Sequence, residues 1–338
     1  MRHAAKALIA VSIAASAVGC AGHPGHPGQP GHPSHAGQAA RNSPGHATRP
    51  ASTCSASEPH PHRYFGIIDG NPGGPAYTGF TNRTGAKPTL VDYFFNFGTA
   101  WNSSMACFAA RHSAMPLMQF NLRHLTAADI AGGGSDRYIS HLADQVKAFG
   151  LPIVISIGHE MNGNWYPWGW QHTPAPTFIR MWRRVHDIFG RQQAINVIWM
   201  WTVNRAVKPA INPRPWWPGQ AYVNWVGVDG HDRHATDTFK KVFGSTIADV
   251  RALTNDPILI SETAVVAGPH RPAQIAELFR TVYQTPGLIG ILYLNMWTVR
   301  IDWRLSDTAS IRAFTKAIQA YEPSSGASRY GPCMKVCT

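Results

Sequence analysis

Eight short apolar runs, separated by amphipathic stretches, constrain this chain more than any other feature. They are Tyr64–Asp69, Val91–Gly98, Pro116–Asn121, Pro152–Gly158, Asn196–Val203, Asn224–Asp229, Pro257–Ser261 and Gly290–Asn295. Each is hydrophobic almost without interruption, as strands covered on both faces are, so a parallel sheet wrapped by helices is expected. The segments between them carry helical spacing. Ile139, Leu142, Val146 and Phe149 follow Ser135 and Asp136 and stop at Gly150; Phe178, Trp182, Val185 and Phe189 precede Gly190. Strand and helix alternate in this way over roughly 260 residues, the count and size of an α/β (β/α)8 TIM barrel. An open doubly wound sheet shares the alternation, but no Gly-x-Gly-x-x-Gly turn supports a nucleotide site.

The 338 residues are 44% hydrophobic and only 14% charged, enough apolar material for one large core. A formal charge of +12 permits attraction to anionic surfaces. The Lys and Arg residues are scattered rather than gathered into a stripe, which argues against a nucleic-acid partner. At the N-terminus Arg2, His3 and Lys6 precede an apolar run from Ala7 to Val18, too short to span a bilayer and shaped like a secretory signal. Ala17-Val18-Gly19-Cys20 then has the form of a bacterial lipobox. Residues 1–19 are therefore expected to be a lipoprotein signal peptide and Cys20 the lipidated N-terminus of an extracellular, cell-surface protein. Residues 20–62 form a Gly/Pro/His/Ser tract that cannot bury enough surface to fold and reads as a flexible tether. Its histidines (His23, His26, His32, His35, His46) read as linker composition rather than a metal site. The barrel is expected over 63–325 and a cysteine-containing tail over 326–338. Cys54, Cys107, Cys333 and Cys337 make an even set suited to an oxidising compartment. Cys54 and the Cys333/Cys337 pair flank the barrel, so a staple between its ends is one of the pairings left open.

Two of the eight runs deliver a carboxylate where apolar residues give way to polar and aromatic ones. Glu160 follows the fourth run, and Glu262 closes the seventh. Barrel active sites lie at the C-terminal ends of the strands, and three βα units of about 31 residues predict a gap near 93. The observed gap is 102 positions, so both carboxylates are expected at one mouth. A pair of carboxyls, one protonated to donate to a leaving oxygen and one ionised to attack the anomeric carbon, is the equipment for cleaving a glycosidic bond. His159 adjoins Glu160, but alternation along a strand points neighbours apart, so it is expected to contact substrate or to support the site. Trp165, Trp168 and Trp170 crowd the loop after Glu160; Trp216 and Trp217 precede the sixth run, and Trp297 follows the eighth. Indole faces stack on pyranose rings, and this concentration in loops favours a sugar platform over simple core packing. A zinc peptidase helix needs a second histidine four residues after the first, and that position is Gly163. No Gly-x-Ser-x-Gly elbow supports a serine hydrolase.

His159-Glu160-Met161-Asn162-Gly163-Asn164-Trp165-Tyr166-Pro167-Trp168-Gly169 resembles the acid/base motif of glycoside hydrolase family 26, made up mainly of endo-β-1,4-mannanases. Supporting matches run over 181–189, 196–204, 217–230 and 302–304, and the resemblance covers most of Tyr64 to Ala320. It implies a retaining mechanism with Glu160 as acid/base and Glu262 as nucleophile. It also implies substrate contacts from His159, Asn162, Trp165, Trp168, Asn204, His231 and Trp297. The expectation is a monomer acting on β-mannan or a related polysaccharide, with no cofactor or metal. Alternatives are a β-1,3-1,4-glucanase, a β-1,3-xylanase, or a non-catalytic carbohydrate-binding lipoprotein. The chain departs from the family pattern at three places in the mouth. His231 stands where relatives often have a tyrosine bonded to the nucleophile, Ser156 where many have arginine, and Gln119-Phe120-Asn121 where several have a Trp-Glu-Pro-like ending. A histidine in the first of these positions makes the pH response of the site differ from that of a tyrosine.

Overall fold

A computed structural model describes residues 64–69, 74–298, 300–321 and 337. Eight strands close into one barrel in sequence order: β1 (Tyr64–Ile68), β2 (Leu90–Asn96), β3 (Met115–Asn121), β4 (Ile153–Ile157), β5 (Val197–Asn204), β6 (Trp225–Asp229), β7 (Ile258–Thr263) and β8 (Leu288–Leu294). Every pairing is parallel, and β8 returns to β1. Around them run helices α1 (Pro75–Thr84), α2 (Ser103–Arg111), α3 (Ala127–Gly132), α4 (Asp136–Phe149), α5 (Ala175–Arg191), α6 (Phe239–Arg251), α7 (Arg271–Gln284) and α8 (Thr308–Tyr321). All eight apolar runs are strands, so the (β/α)8 expectation holds.

Strand and helix meet through aromatic packing. Phe65 of β1 lies 6.2, 6.3 and 5.5 Å from Phe80, Phe279 and Phe314, one ring from each of α1, α7 and α8. Each such ring, buried to the last few percent, contributes roughly 1.5–3 kcal/mol from area alone. Inside the barrel the space is tighter. A Cβ on Gly227 would stand 2.5 Å from Ser261 Oγ and 2.6 Å from Thr202 Oγ1, so β6 approaches its neighbours only because that side chain is missing.

Most strand ends fall within one or two residues of expectation, and two differences among the element ends have an evident local basis or bear on the polar end of a strand. Helix α5 runs past Gly190 to Arg191, because Gln193 (φ 61°) supplies the left-handed turn instead. Strand β7 continues through Glu262 to Thr263 rather than stopping at Ser261. The cysteine question is settled for one pair. Cys107 of α2 is bonded to Cys337, with Cα atoms 5.3 Å apart, and Arg111 donates to the Cys337 carbonyl at 3.1 Å. That bond ties the C-terminal tail to α2. The signal peptide, Cys20, the 20–62 tether, Cys54 and Cys333 lie outside the described residues.

Candidate active site

Strand β4 ends at Ile157, and Glu160 stands three residues on, in a turn rather than on the strand. Gly158 (φ 61°) and Glu160 (φ 54°) both adopt left-handed backbone. For glutamate that conformation is unfavourable by about 1–3 kcal/mol, and it persists only where the surroundings over-determine it. Here they do. Glu160 N donates to the Thr202 carbonyl of β5 at 2.9 Å, and Gly163 N donates to the Glu160 carbonyl at 2.8 Å. The carboxyl itself receives Trp165 Nε1 on Oε2 at 2.7 Å and Asn204 Nδ2 on Oε1. Asn204 is held in turn by Asn162, whose Nδ2 donates to its carbonyl and whose Oδ1 accepts its backbone N–H, both at 2.8 Å.

Glu262 reaches the mouth by a different device. The β6 register runs Gly227↔Leu259 then Asp229↔Glu262, and the β8 register runs Ile260↔Ile291 then Thr263↔Tyr293. Against both neighbours β7 carries an extra residue just where its two polar side chains lie. A bulge of this kind re-aims side chains that alternation would send to opposite faces. Ser261 Oγ donates to Asp229 Oδ1 at 2.5 Å, while Glu262 Oε1 stands 3.1 Å from His231 Nε2. The His231–Glu262 contact has ion-pair distance without the alignment of a hydrogen bond. The His231 ring is fixed from its other side by Trp303, stacked 4.9 Å away at 29°.

These carboxyls feel one another. Burial, reinforced by the negative charge of Glu262, pushes the Glu160 carboxyl up to about 8, although the Trp165 and Asn204 hydrogen bonds pull it down. Burial, then the charges of Glu160 and Glu262, hold Asp229 well above the ordinary carboxylate range despite the Ser261 hydroxyl. His159, 3% exposed, is held down to about 4 by burial and so is neutral. Its Nε2 meets the Tyr166 hydroxyl at 3.1 Å and its ring is walled by Phe94, Tyr166 and Trp168. At neutral pH the arrangement thus offers a proton on Glu160 and a second carboxyl partnered by an imidazole.

The remaining expected contacts divide. Trp165 is half-buried with its N–H committed to Glu160, and Trp297 stands 59% exposed beneath the Arg304 guanidinium. Both leave part of the ring exposed. Trp168 does not, and the expectation of substrate contact is corrected: it is 1% exposed, stacks on Tyr166 at 4.4 Å, and donates its N–H to the His159 carbonyl. It shapes the turn that carries Glu160. Asn162, 5% exposed with its amide committed to Asn204, likewise acts on the turn rather than on a sugar. Trp216, 7% exposed, is core. Asp229 carries no role in the sequence reading, because an aspartate closing a strand gives no sign that it will feel the charges of both Glu160 and Glu262.

Residues 127–267 match the model of glycosyl hydrolase family 26. Endoglucanase H of Acetivibrio thermocellus is 26% identical over 276 residues, 77% of this chain and 30% of that protein. Mannan endo-1,4-β-mannosidase A and B of Caldalkalibacillus mannanilyticus is 27% identical over 109 residues, 29% of this chain and 21% of that protein. The chain thus spans less than a third of the length of either. Among solved structures, a family 26 β-mannanase from Bacteroides ovatus superposes with a TM-score of 0.57 at 15% identity, over 77% of this chain and 89% of that one. At that identity the likeness is one of fold.

Proposed function

We propose that this chain, matched to glycosyl hydrolase family 26 over residues 127–267, is an endo-acting β-glycan hydrolase that cleaves mannan with retention of anomeric configuration. Glu160 is the acid/base and Glu262 the nucleophile. The observation that carries this reading is the pairing of a carboxyl held protonated at neutral pH with a second carboxyl that acts on it electrostatically. In the first step Glu262 attacks the anomeric carbon as Glu160 passes its proton to the departing glycosidic oxygen. In the second, the ionised Glu160 takes a proton from water, which displaces Glu262 from the sugar. Burial keeps the proton on Glu160 until it is needed, and the Trp165 and Asn204 donors stabilise the anion that remains. Trp297 supplies an exposed indole face on which a pyranose can stack.

The reading is tested with galactomannan, glucomannan, lichenan and β-1,3-xylan, assayed for new reducing ends and followed by proton NMR. The β-anomer should appear first on the mannans. Initial release of the α-anomer would contradict the retaining assignment, and no cleavage of any substrate would contradict the hydrolase. A β-glucan is the second substrate to weigh, because the relative matched over most of this chain is named an endoglucanase.

The proton on Glu160 also sets a pH limit. Activity requires the protonated form, so kcat/KM should fall as pH rises through about 8. Trp165 Nε1 stabilises the ionised form, and Trp165→Phe removes that bond while keeping an aromatic face. The alkaline limb should then move upward by about one pH unit, taking a charged hydrogen bond as about 1.5 kcal/mol. A limb that stays in place, or moves down, would show that Trp165 does not act on the proton of Glu160.

A further inference from the structure

Below the mouth, the barrel interior holds polar side chains that the two-step chemistry does not use. Ser156 of β4 and Thr202 of β5 share a hydrogen bond of 2.9 Å, both fully buried. Further round, Asp92 of β2 is 1% exposed and Gln119 of β3 is 0% exposed. Gln119 Nε2 donates to Asp92 Oδ2 at 3.0 Å. The two oxygens left over, Asp92 Oδ1 and Gln119 Oε1, are both buried and have no hydrogen-bond partner among the described residues. Buried oxygens are rarely left so, because each has given up water without a replacement. A carboxyl and a carboxamide are planar forks of nearly equal span, and where they meet squarely the second pair of atoms lies face to face. Two lone-pair oxygens repel across that gap, and one proton between them satisfies both. Turning the carboxamide over moves the proton to the other Asp92 oxygen and does not remove the need for it.

We propose that Asp92 is a neutral carboxylic acid bonded to Gln119 through both of its oxygens, and that this acid–amide pair is a positioning unit that keeps charge off the barrel floor beneath Glu262. Burial holds the Asp92 proton well above the ordinary carboxylate range; the Gln119 bond and the Tyr93 backbone N–H oppose this, and the charge of Glu262 adds to it. The charge that acts on Asp92 across the barrel is that of Glu262 of β7, and the other acid of that region, Asp229 of β6, is itself held well above the ordinary carboxylate range. An ionised Asp92 would therefore compete with Glu262 for the site's negative charge. The first half of the proposal stands apart from the catalytic reading; the second rests on it.

Thermal unfolding of the full-length protein from about pH 5 to about pH 8 separates the two protonation states. A carboxyl whose pKa is higher in the folded than in the unfolded state stabilises the fold fully below its unfolded pKa. That contribution fades as pH climbs toward the folded value. Asp92→Asn replaces the acid by an amide able to make the same two bonds, so its Tm should gain on wild type across this window, by several degrees at the upper end. Its infrared spectrum in D2O should lose a protonated-carboxyl band that wild type shows at neutral pH. A constant Tm difference with no band lost would mean an ionised Asp92 and overturn the proposal. Should Asp92→Asn fail to fold, Gln119→Met gives a second test: it removes the amide that accepts the Asp92 proton, so the protonated-carboxyl band should move toward that of an unbonded acid, and a band that stays in place overturns the pairing. In kinetics, the acidic limb of kcat/KM should keep its position in Asp92→Asn. A limb that moves down in Asp92→Asn would reveal lost negative charge and overturn the second half. Absence of activity on every glycan would overturn the catalytic reading and that second half with it, while Tm and the infrared band still decide the first.

Discussion

Glu262→Ala should reduce mannan hydrolysis by about 10⁴- to 10⁶-fold, the range seen when the attacking group of a covalent mechanism is removed. The loss has two parts. No atom remains to form the glycosyl intermediate, and Glu160 loses the negative neighbour that, after burial, does most to hold its proton. Added azide fits the space vacated by the carboxylate and attacks the same face of the sugar. With an activated aryl mannoside it should restore turnover and yield the α-glycosyl azide, inverted because one displacement replaces two. Rescue with a β-configured product, or a mutant as active as wild type, would remove Glu262 from the nucleophile's place.

Glu160→Gln should lower the rate on polymeric mannan by about 10²- to 10⁴-fold, the usual contribution of a positioned general acid. The size of the effect should follow the leaving group. A polysaccharide departs as an alkoxide and needs the proton; a dinitrophenolate leaves without it. On such an aryl mannoside the first step should therefore run near its normal rate, giving a burst equal to the enzyme concentration, followed by slow hydrolysis because no base activates water. Glutamine keeps the shape of the side chain and an oxygen to accept the Trp165 N–H, so the turn after β4 should be undisturbed. Equal losses on both substrates, with no burst, would assign Glu160 to structure rather than to proton transfer.

Much of this architecture is legible in the sequence because its signal is repetitive. Ile153 to Ile157 is apolar at nearly every position and buried at every position, as a strand wedged between barrel and helix must be. The same holds for β1 and β6. The placement of both glutamates at strand ends is legible too, since two at the spacing of three βα units are a stronger sign than either alone. What stays hidden is orientation within the final residues. Alternation separates Ser261 from Glu262 and misses the bulge that turns both to useful partners. It likewise treats His159 and Glu160 as strand neighbours, whereas left-handed backbone at Gly158 and Glu160 sets them in a turn past the strand end. Tryptophan shows the same limit. Trp165 and Trp168 are three apart in one loop and alike in chemistry, yet one faces the acid and the other is sealed beneath it. Asp92 and Gln119 are 27 positions apart, on adjacent strands whose register no local pattern fixes.

The backbone of Glu160 has a bearing on how this protein can change over time. At φ 54° a glycine would sit without strain, so the substitution that deletes the acid is also one the fold would welcome. In the proposed enzyme, relief of the backbone thus works against the acid, and selection on activity is what would retain the glutamate. Barrels of this kind therefore have a ready route to inert descendants that keep their shape and their sugar-facing surface, and a glycine at this one turn would mark them.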